Sequence, residues 1–323
     1  MTANLLRTSS SSWLRRGTVF LILVGMIVFF STQSDRFFQP VNLRNIVEQN
    51  AYIIVAAVGV ALTMILGGID LSVGSVAALV GALTAGLITR NGFALLPALA
   101  IGLIAGALLG AINGALVVFG KLPPFVVTLP MLGVARGLTL VYTEGRPISG
   151  LQETGYRSFA GELNVGFPLP VLVLIALLVT LAAWLLLTRT RFGLHVYSIG
   201  GNEETARLAG VAVARTKILT YAISGLCAAI TGIMLTASLA SAQPRVAEGL
   251  ELNAIAAAVL GGVSLFGGVG SMVGVLAGVL IVGVLSNGTN LLRITPYSKQ
   301  IIQGIVLVIA VSIDMYSKRL EKG

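Results

Sequence analysis

Residues 189–217 read RTRFGLHVYSIGGNEETARLAGVAVARTK, the longest polar interruption in a sequence that otherwise consists of apolar blocks. Within it, residues 200–210 predict a short helix. Asn202 is a good N-cap, Glu203 and Glu204 fall in the first turn, where negative charge suits the helix dipole, and Gly210 can take the left-handed conformation that ends a helix. A helix this short is marginal alone in water, so it needs a packing partner.

The composition identifies the environment of the apolar blocks. Hydrophobic residues make up 56% of the 323 and charged residues 10%, and the mean hydropathy is +0.96. A soluble domain has about 25% charged residues, so this chain is an integral membrane protein. The net charge of +9 indicates basic loops and ends on the inner side of a membrane, and not a nucleic-acid partner.

Apolar segments of about 20 residues cross a bilayer as helices. The fold class predicted is therefore an all-α polytopic membrane protein with about ten spans. The segment 253–263 is too short for a full span, so it either begins earlier or forms a half-helix. The candidate spans are 17–33, 46–66, 71–89, 93–119, 123–143, 168–188, 217–238, 253–263, 271–291 and 299–316.

The basic residues predict how the chain is oriented. With both ends inside, twelve Lys and Arg residues lie inside and eight outside, with Arg136 left within a span. This excess favours N-in and C-in. We expect cytoplasmic tails at 1–16 and 317–323, one transmembrane domain at 17–316, and a cytoplasmic loop at 189–216. Because no small-residue cleavage site follows the first span, we interpret it as an uncleaved helix.

Glycine recurs every fourth residue in the span 93–119, at Gly102, Gly106, Gly110 and Gly114. These residues share one helix face and predict the close approach of another helix. Asn113 lies next to this ridge, where it either bonds to a neighbouring helix or lines a pathway.

Two glycine-rich breaks resemble each other. Residues 66–75 read LGGIDLSVGS, and residues 260–271 read LGGVSLFGGVGS, with two residues inserted. Each ends one apolar segment and opens the next. They predict a parallel internal repeat of a helix–break–helix unit, which transporters place near the permeation path.

Asp70 lies in the first break, where a carboxylate costs a few kcal/mol unless it is paired or hydrated. It is either the N-cap of the third span or a group on the pathway. The candidates for the pathway and its gates are Asp70, Ser72, Asn113, Asn253 and Ser264.

The sequence shows no group of residues spaced for catalysis, metal binding or phosphate binding. The lone Cys227 lies in an apolar block and predicts a packing role, and His195 has no second metal ligand near it. The nearest match to a phosphate loop, residues 114–122, has the wrong glycine spacing and no Ser or Thr after the lysine. We expect no enzyme, metal or cofactor on this chain, so energy from ATP would come from another chain.

Five segments together resemble the ribose-type permeases of bacterial ABC importers, and the resemblance extends from about Phe38 to Lys318. The most specific segments are GGIDLSVGS and GGNEETARLAG. The five segments are LTMILGGIDLSVGS (62–75), GKLPPFVVTLPMLGVARGLTLVYTEG (120–145), TRFGLHVYSIGGNEETARLAGV (190–211), ASAQPRVAEGLELNAIAAAVLGGVSLFGGVGS (240–271) and NGTNLLRITPYSKQIIQGIVLVIAV (287–311).

The resemblance implies a type II-like importer permease in a bacterial inner membrane. Its partners would be a second permease copy, identical or not, a cytoplasmic ATPase that holds ATP and Mg, and a periplasmic or lipid-anchored sugar-binding protein. The short helix would then be the coupling helix that docks on the ATPase, with apolar contacts from Ala206, Leu208 and Ala209. Its proposed residues are Gly201, Asn202, Glu203, Glu204, Ala206, Arg207, Leu208 and Gly210.

The function predicted is import of a simple sugar, ribose or a related pentose or hexose, driven by the separate ATPase. The alternative is a secondary transporter that uses an ion gradient, with Asp70 as the coupling site. Against it stands the near absence of other acidic residues within the apolar spans.

Overall fold

The computed structural model of the chain describes residues 20–164 and 168–295, and the positions 297–299, 301, 302, 304, 305, 308 and 312, which are helical. The predicted tails 1–16 and 317–323, and part of the last predicted span, lie outside these residues. The predictions for them, and for the orientation of the chain, stay predictions.

The described chain is almost entirely helical, which confirms the all-α polytopic class. Six helices, α2, α4, α5, α6, α9 and α11, are long and apolar enough to cross a membrane. The helices are α1 (Phe20–Gln33), α2 (Pro40–Ile65), α3 (Val73–Thr89), α4 (Leu95–Phe119), α5 (Pro124–Thr143), α6 (Val171–Arg189), α7 (Arg191–Gly201), α8 (Glu203–Leu208), α9 (Val213–Leu239), α10 (Leu250–Leu260) and α11 (Met272–Leu291).

The connection between α5 and α6 adds a 3-10 turn (Tyr156–Ala160) and two short antiparallel strands, β1 (Glu162–Asn164) and β2 (Pro168–Pro170). The helix α10 has eleven residues. At 1.5 Å per residue its length is about half the thickness of a bilayer core, which agrees with the half-helix alternative for this segment.

Two helices form the centre of the bundle. In α2 and α9, 72% and 67% of the apolar window is buried inside the chain, against 28% for α4 and 22% for α5. The surfaces of α4 and α5 are therefore left to lipid or to another subunit.

The glycine ridge of α4 packs as predicted. A β-carbon on Gly106 would lie 2.7 Å from the carbonyl oxygen of Gly225, and one on Gly114 would lie 2.7 Å from the Cα of Ile218. Both neighbours belong to α9, whereas Gly102 faces the side chain of Thr84 in α3. Such close backbone contact gives dispersion attraction where lipid offers no hydrophobic drive.

The two breaks begin in the same way. At the end of α2, the N–H groups of Gly67 and Gly68 donate to Met64 O (2.9 Å) and Thr63 O (2.8 Å). At the end of α10, those of Gly262 and Val263 donate to Val259 O (2.8 Å) and Ala258 O (2.9 Å). Gly67 (φ 94°) and Gly262 (φ 82°) are left-handed, as this helix ending requires.

The second break is longer than the first, as its two inserted residues predict. Seven residues, 66–72, separate α2 from α3, and eleven, 261–271, separate α10 from α11. The connection is longer by four residues and not by two, because α3 begins at Val73, inside the first matched segment, whereas α11 begins after Ser271. The extra residues form a turn that closes with a hydrogen bond from Ser264 N to Val269 O (2.9 Å), which matching the glycines alone could not reveal.

The α4–α9 contact predicts the effect of a single methyl group. We expect Gly110→Ala to lower the free energy of unfolding by about 1–3 kcal/mol, because the new group would meet the Tyr221 carbonyl and the Cα of Gly225. Gly25→Ala in α1 is the control, since its β-carbon would have open space. Thermal unfolding of both variants in detergent measures the difference, and equal midpoints would contradict the predicted packing.

Candidate functional site

The short predicted helix is present as α8. Its N-cap Asn202 accepts a hydrogen bond from the backbone N–H of Thr205 (2.9 Å). At its other end Gly210 is left-handed (φ 81°), and Val211 N donates to Ala206 O (3.0 Å). The predicted cap and the predicted stop are confirmed.

The two apolar side chains of α8 face opposite surroundings. Leu208 is 80% exposed, whereas Ala206 is 4% exposed and belongs to the hydrophobic core of the chain. The expectation that Ala206 contacts a partner is therefore wrong, because this residue attaches α8 to its own bundle. Leu208 and the exposed Ala209 remain as the outward apolar groups.

Ion pairs surround Leu208. The Lys217 ammonium lies 2.6 Å from the Glu203 carboxylate, and Arg207 pairs with Glu204. Arg207, Glu203 and Glu204 are more than half exposed. The Arg207–Glu204 pair, exposed on both sides, contributes about 0–1 kcal/mol, so these two charges can exchange their partners at little cost.

An open cavity of about 620 Å³ lies beside α8. Its walls are the connection between α4 and α5, α8 itself and the start of α9. Three basic residues and one acidic residue contribute to them: Lys121, Arg207, Lys217 and Glu203. The cavity carries a positive charge next to the exposed Leu208.

Three of the five pathway candidates meet in a buried cluster. The Asp70 carboxylate, 1% exposed, accepts hydrogen bonds from Ser72 N (3.0 Å), Ser72 Oγ (2.6 Å) and Ser224 Oγ (2.8 Å). The side-chain amide of Asn113 donates to Ser72 Oγ (3.0 Å). We call Asp70, Ser72, Asn113 and Ser224 the Asp70 cluster.

The cluster supports the capping interpretation of Asp70. The helix α3 begins after Ser72, which makes no side-chain cap bond of its own, and Asp70 accepts the backbone N–H of Ser72, as a cap does. Asp70 also fixes Ser72 to Ser224 of α9, and Asn113 joins α4 to the same point. The place of Asp70 on the pathway stays a prediction. In this conformation the carboxylate is buried and hydrogen-bonded by neutral donors.

Two groups near the cluster keep unused hydrogen-bonding capacity. Asn113 Oδ1 and the Tyr221 hydroxyl are buried without a hydrogen-bond partner in the described part of the chain. The Tyr221 hydroxyl lies beside Gly68 in the first break.

The other two candidates lie elsewhere. Ser264 is buried in the second break, where its Oγ accepts from Phe266 N (3.2 Å) and shapes the inserted turn. Asn253 lies partly exposed in the first turns of α10. The proposed place of Ser264 and Asn253 on the pathway stays a prediction.

Sequence reasoning missed the role of Arg136. This arginine, in the middle of α5, donates to the carbonyl oxygens of Pro244 and Val246, each at 2.9 Å. It thereby satisfies irregular backbone between α9 and α10 that lies alongside a membrane helix. The signal was present, because Arg136 was the one basic residue left within a predicted span.

The same segment ends against α3. Gly74 leaves space for the carbonyl of Ala247 and the carboxylate of Glu251. The carboxylate therefore lies at the first turn of α3, where the helix dipole favours negative charge. Arg136 and Glu251 hold the 240–251 segment at its two sides.

The arrangement defines a class of protein: a multi-pass permease with two helix breaks and a capped, outward-facing short helix.

Comparison with known proteins places the chain in the same class. Residues 42–311 match the family described as branched-chain amino acid transport system / permease component. The ribose import permease protein of Bacillus subtilis is 45% identical over 91% of both chains, and that of Escherichia coli K12 is 42% identical over 95% of this chain and 96% of its own.

The D-allose transport system permease protein of Escherichia coli is 35% identical over 94% of this chain and 92% of its own. No solved structure matches the chain. The chain belongs to this permease family, and its likeness to the ribose-type permeases of ABC importers is confirmed.

The Asp70 cluster gives a graded prediction. Asp70→Ala leaves three buried donors without an acceptor, so we expect the free energy of unfolding to fall by about 2–4 kcal/mol. Ser224→Ala removes one bond and should cost about 1 kcal/mol, with Asp70→Asn between the two. Thermal unfolding of the purified variants gives the order, and an Asp70→Ala midpoint no lower than that of Ser224→Ala would contradict it.

Arg136 gives a second prediction. Arg136→Met leaves the carbonyls of Pro244 and Val246 unpaired, so we expect a loss of about 2–3 kcal/mol and faster proteolysis at 240–249. Arg157→Met, at an exposed position of the 3-10 turn, is the control. Limited proteolysis in detergent measures the effect. If both variants are cut at the same rate, Arg136 does not hold this segment.

Proposed function

We propose that this chain is the membrane-spanning subunit of an ATP-driven importer of a simple sugar, ribose or a related pentose or hexose. The names of the relatives support the substrate class. The relatives described above are named for ribose and allose, and two further relatives are named for galactose and arabinose. Their names as permease components also support a chain that has no ATPase site of its own. The proposed location is the bacterial inner membrane.

The exposed Leu208 carries the argument for a partner at α8. Leu208, 80% exposed, and the exposed Ala209 give this capped helix an outward apolar end that a groove on another chain would bury. We propose that the ATPase, which would hold ATP and Mg, receives α8 in a groove with an apolar floor for Leu208. Acidic groups on its rim would face Lys121 and Arg207 of the cavity.

Two further partners complete the proposed importer. A second permease copy would cover the lipid-facing surface of α4 or α5, with the pathway between the copies. A sugar-binding protein would dock on the opposite end of the bundle, at the connection between α5 and α6. Since that protein selects the sugar, the permease itself would need little affinity.

The structure supports the ATP-driven importer over the ion-driven transporter. In the latter, Asp70 would have to exchange an ion with a water-filled path. Its carboxylate is instead buried and accepts three hydrogen bonds from neutral donors inside the chain. Uptake by the purified chain alone, driven by a proton gradient in vesicles, would favour the ion-driven transporter.

The double substitution Leu208→Asp with Arg207→Glu tests the docking of α8. We expect the variant to keep its unfolding midpoint and to lose co-purification with the ATPase by about 10-fold or more, because a charge replaces the apolar contact. Leu163→Asp, at an exposed leucine in β1, should co-purify normally. Unchanged co-purification and sugar uptake in the double variant would remove α8 from the interface.

A further inference from the structure

The two breaks meet at the end of α7. The backbone N–H of Gly268, in the second break, donates to the carbonyl oxygen of Ile65 (2.8 Å), the last residue of α2. This bond joins the two halves of the internal repeat, backbone to backbone, although about 200 residues separate them in the chain.

Gly200 of α7 lies against both partners of this bond. A β-carbon on Gly200 would lie 2.5 Å from Gly268 N and 3.0 Å from the carbonyl carbon of Ile65. A β-carbon on Gly267 would lie 2.7 Å from Gly200 O and 2.9 Å from the Cα of Gly67. We call Gly67, Gly200, Gly267 and Gly268 the glycine junction.

The junction brings three segments together without side chains between them. Gly67, Gly267 and Gly268 are also left-handed, with φ of 94°, 86° and 76°, so their backbone course itself needs glycine. A contact between backbones cannot relax by a change of rotamer. A displacement of one segment therefore displaces the other two.

The helix α7 connects this junction rigidly to α8. Gly200 is two residues before Asn202, the N-cap of α8, whose N–H donates to Ser198 O (3.0 Å). A second contact between α7 and the second break lies one turn earlier, where the Tyr197 hydroxyl donates a hydrogen bond to Gly270 O (2.8 Å). The neighbouring Gly201, in contrast, has open space where its β-carbon would be.

We infer that Gly200 is a positioning residue through which movement of α8 reaches both breaks at once. The inference rests on the proposed docking of α8 to the ATPase. The first break leads into α3, and the second into α11. A push on α8 would therefore shift the starts of both helices together, with no independent path to each.

Replacement of Gly200 by alanine, with Gly25→Ala in α1 as the control, tests this role in the complete complex. The complex of permease, ATPase and sugar-binding protein is reconstituted in proteoliposomes. For Gly200→Ala we expect normal co-purification with the ATPase and basal ATP hydrolysis within about twofold. Stimulation of hydrolysis by the ribose-loaded binding protein should fall about 10-fold, and ribose uptake with it. Gly25→Ala, whose new methyl group meets nothing, should stay within about twofold of the unchanged complex in all four measurements.

Tyr197→Phe provides a variant that keeps the fold if Gly200→Ala does not assemble. It removes the hydroxyl that donates to Gly270 O and leaves the ring in place. We expect an unchanged unfolding midpoint and a loss of about 2- to 5-fold in sugar uptake per ATP hydrolysed. A purely structural Gly200 would lower stability without changing this ratio.

The inference is overturned if assembled Gly200→Ala couples as well as Gly25→Ala. It is also overturned if Gly200→Ala fails to assemble and Tyr197→Phe leaves the uptake per ATP unchanged. These outcomes differ from a failure of the proposed docking. In that case the Leu208→Asp, Arg207→Glu double variant itself keeps the ATPase bound.

Discussion

A helix that stops inside a membrane must satisfy its open backbone groups from within the protein, and this constraint governs the centre of the structure. At both breaks the last turn closes on itself around a left-handed glycine, Gly67 or Gly262. The remaining groups are bonded by neighbours: Gly268 N by Ile65 O, Ser72 N by Asp70, and Ile69 O by Thr128 Oγ1 (3.0 Å). The polar residues at membrane depth are explained first by this requirement, and only then by transport.

The same constraint explains why charge is scarce in the bundle and why each charged group has a defined position. Asp70 is held by hydroxyl and amide donors, and Arg136 by two carbonyl groups. In a medium without water each of these interactions replaces hydration that would otherwise be lost. Glycine is the other residue type on which the bundle depends. The backbones of α4 and α9, and those of the two breaks, approach each other more closely than a side chain would allow.

The features that local sequence rules specify were predictable: the cap and stop of α8, the ridge of α4, the half-helix α10 and the repeated breaks. Each follows from residue type and spacing within about one or two turns. The inward position of Ala206, the full length of the second connection and the link from Arg136 to Pro244 were not predictable. They depend on which elements become neighbours in space, and a single sequence does not state that. Asp70 lies between these cases, because its capping role was one of the two alternatives but its partner Ser224, 154 residues away, was not expected.

The two breaks also differ in what holds them. Side chains bond the shorter one to α4 and α9 through the Asp70 cluster. The longer one is held by α2 and α7 through backbone carbonyl groups, at Ile65 O and Gly270 O, and its four additional residues place Phe266, exposed, within the turn. A substitution can therefore loosen the shorter break by removing a polar side chain, whereas the longer break is sensitive to any residue that adds a β-carbon at its contacts.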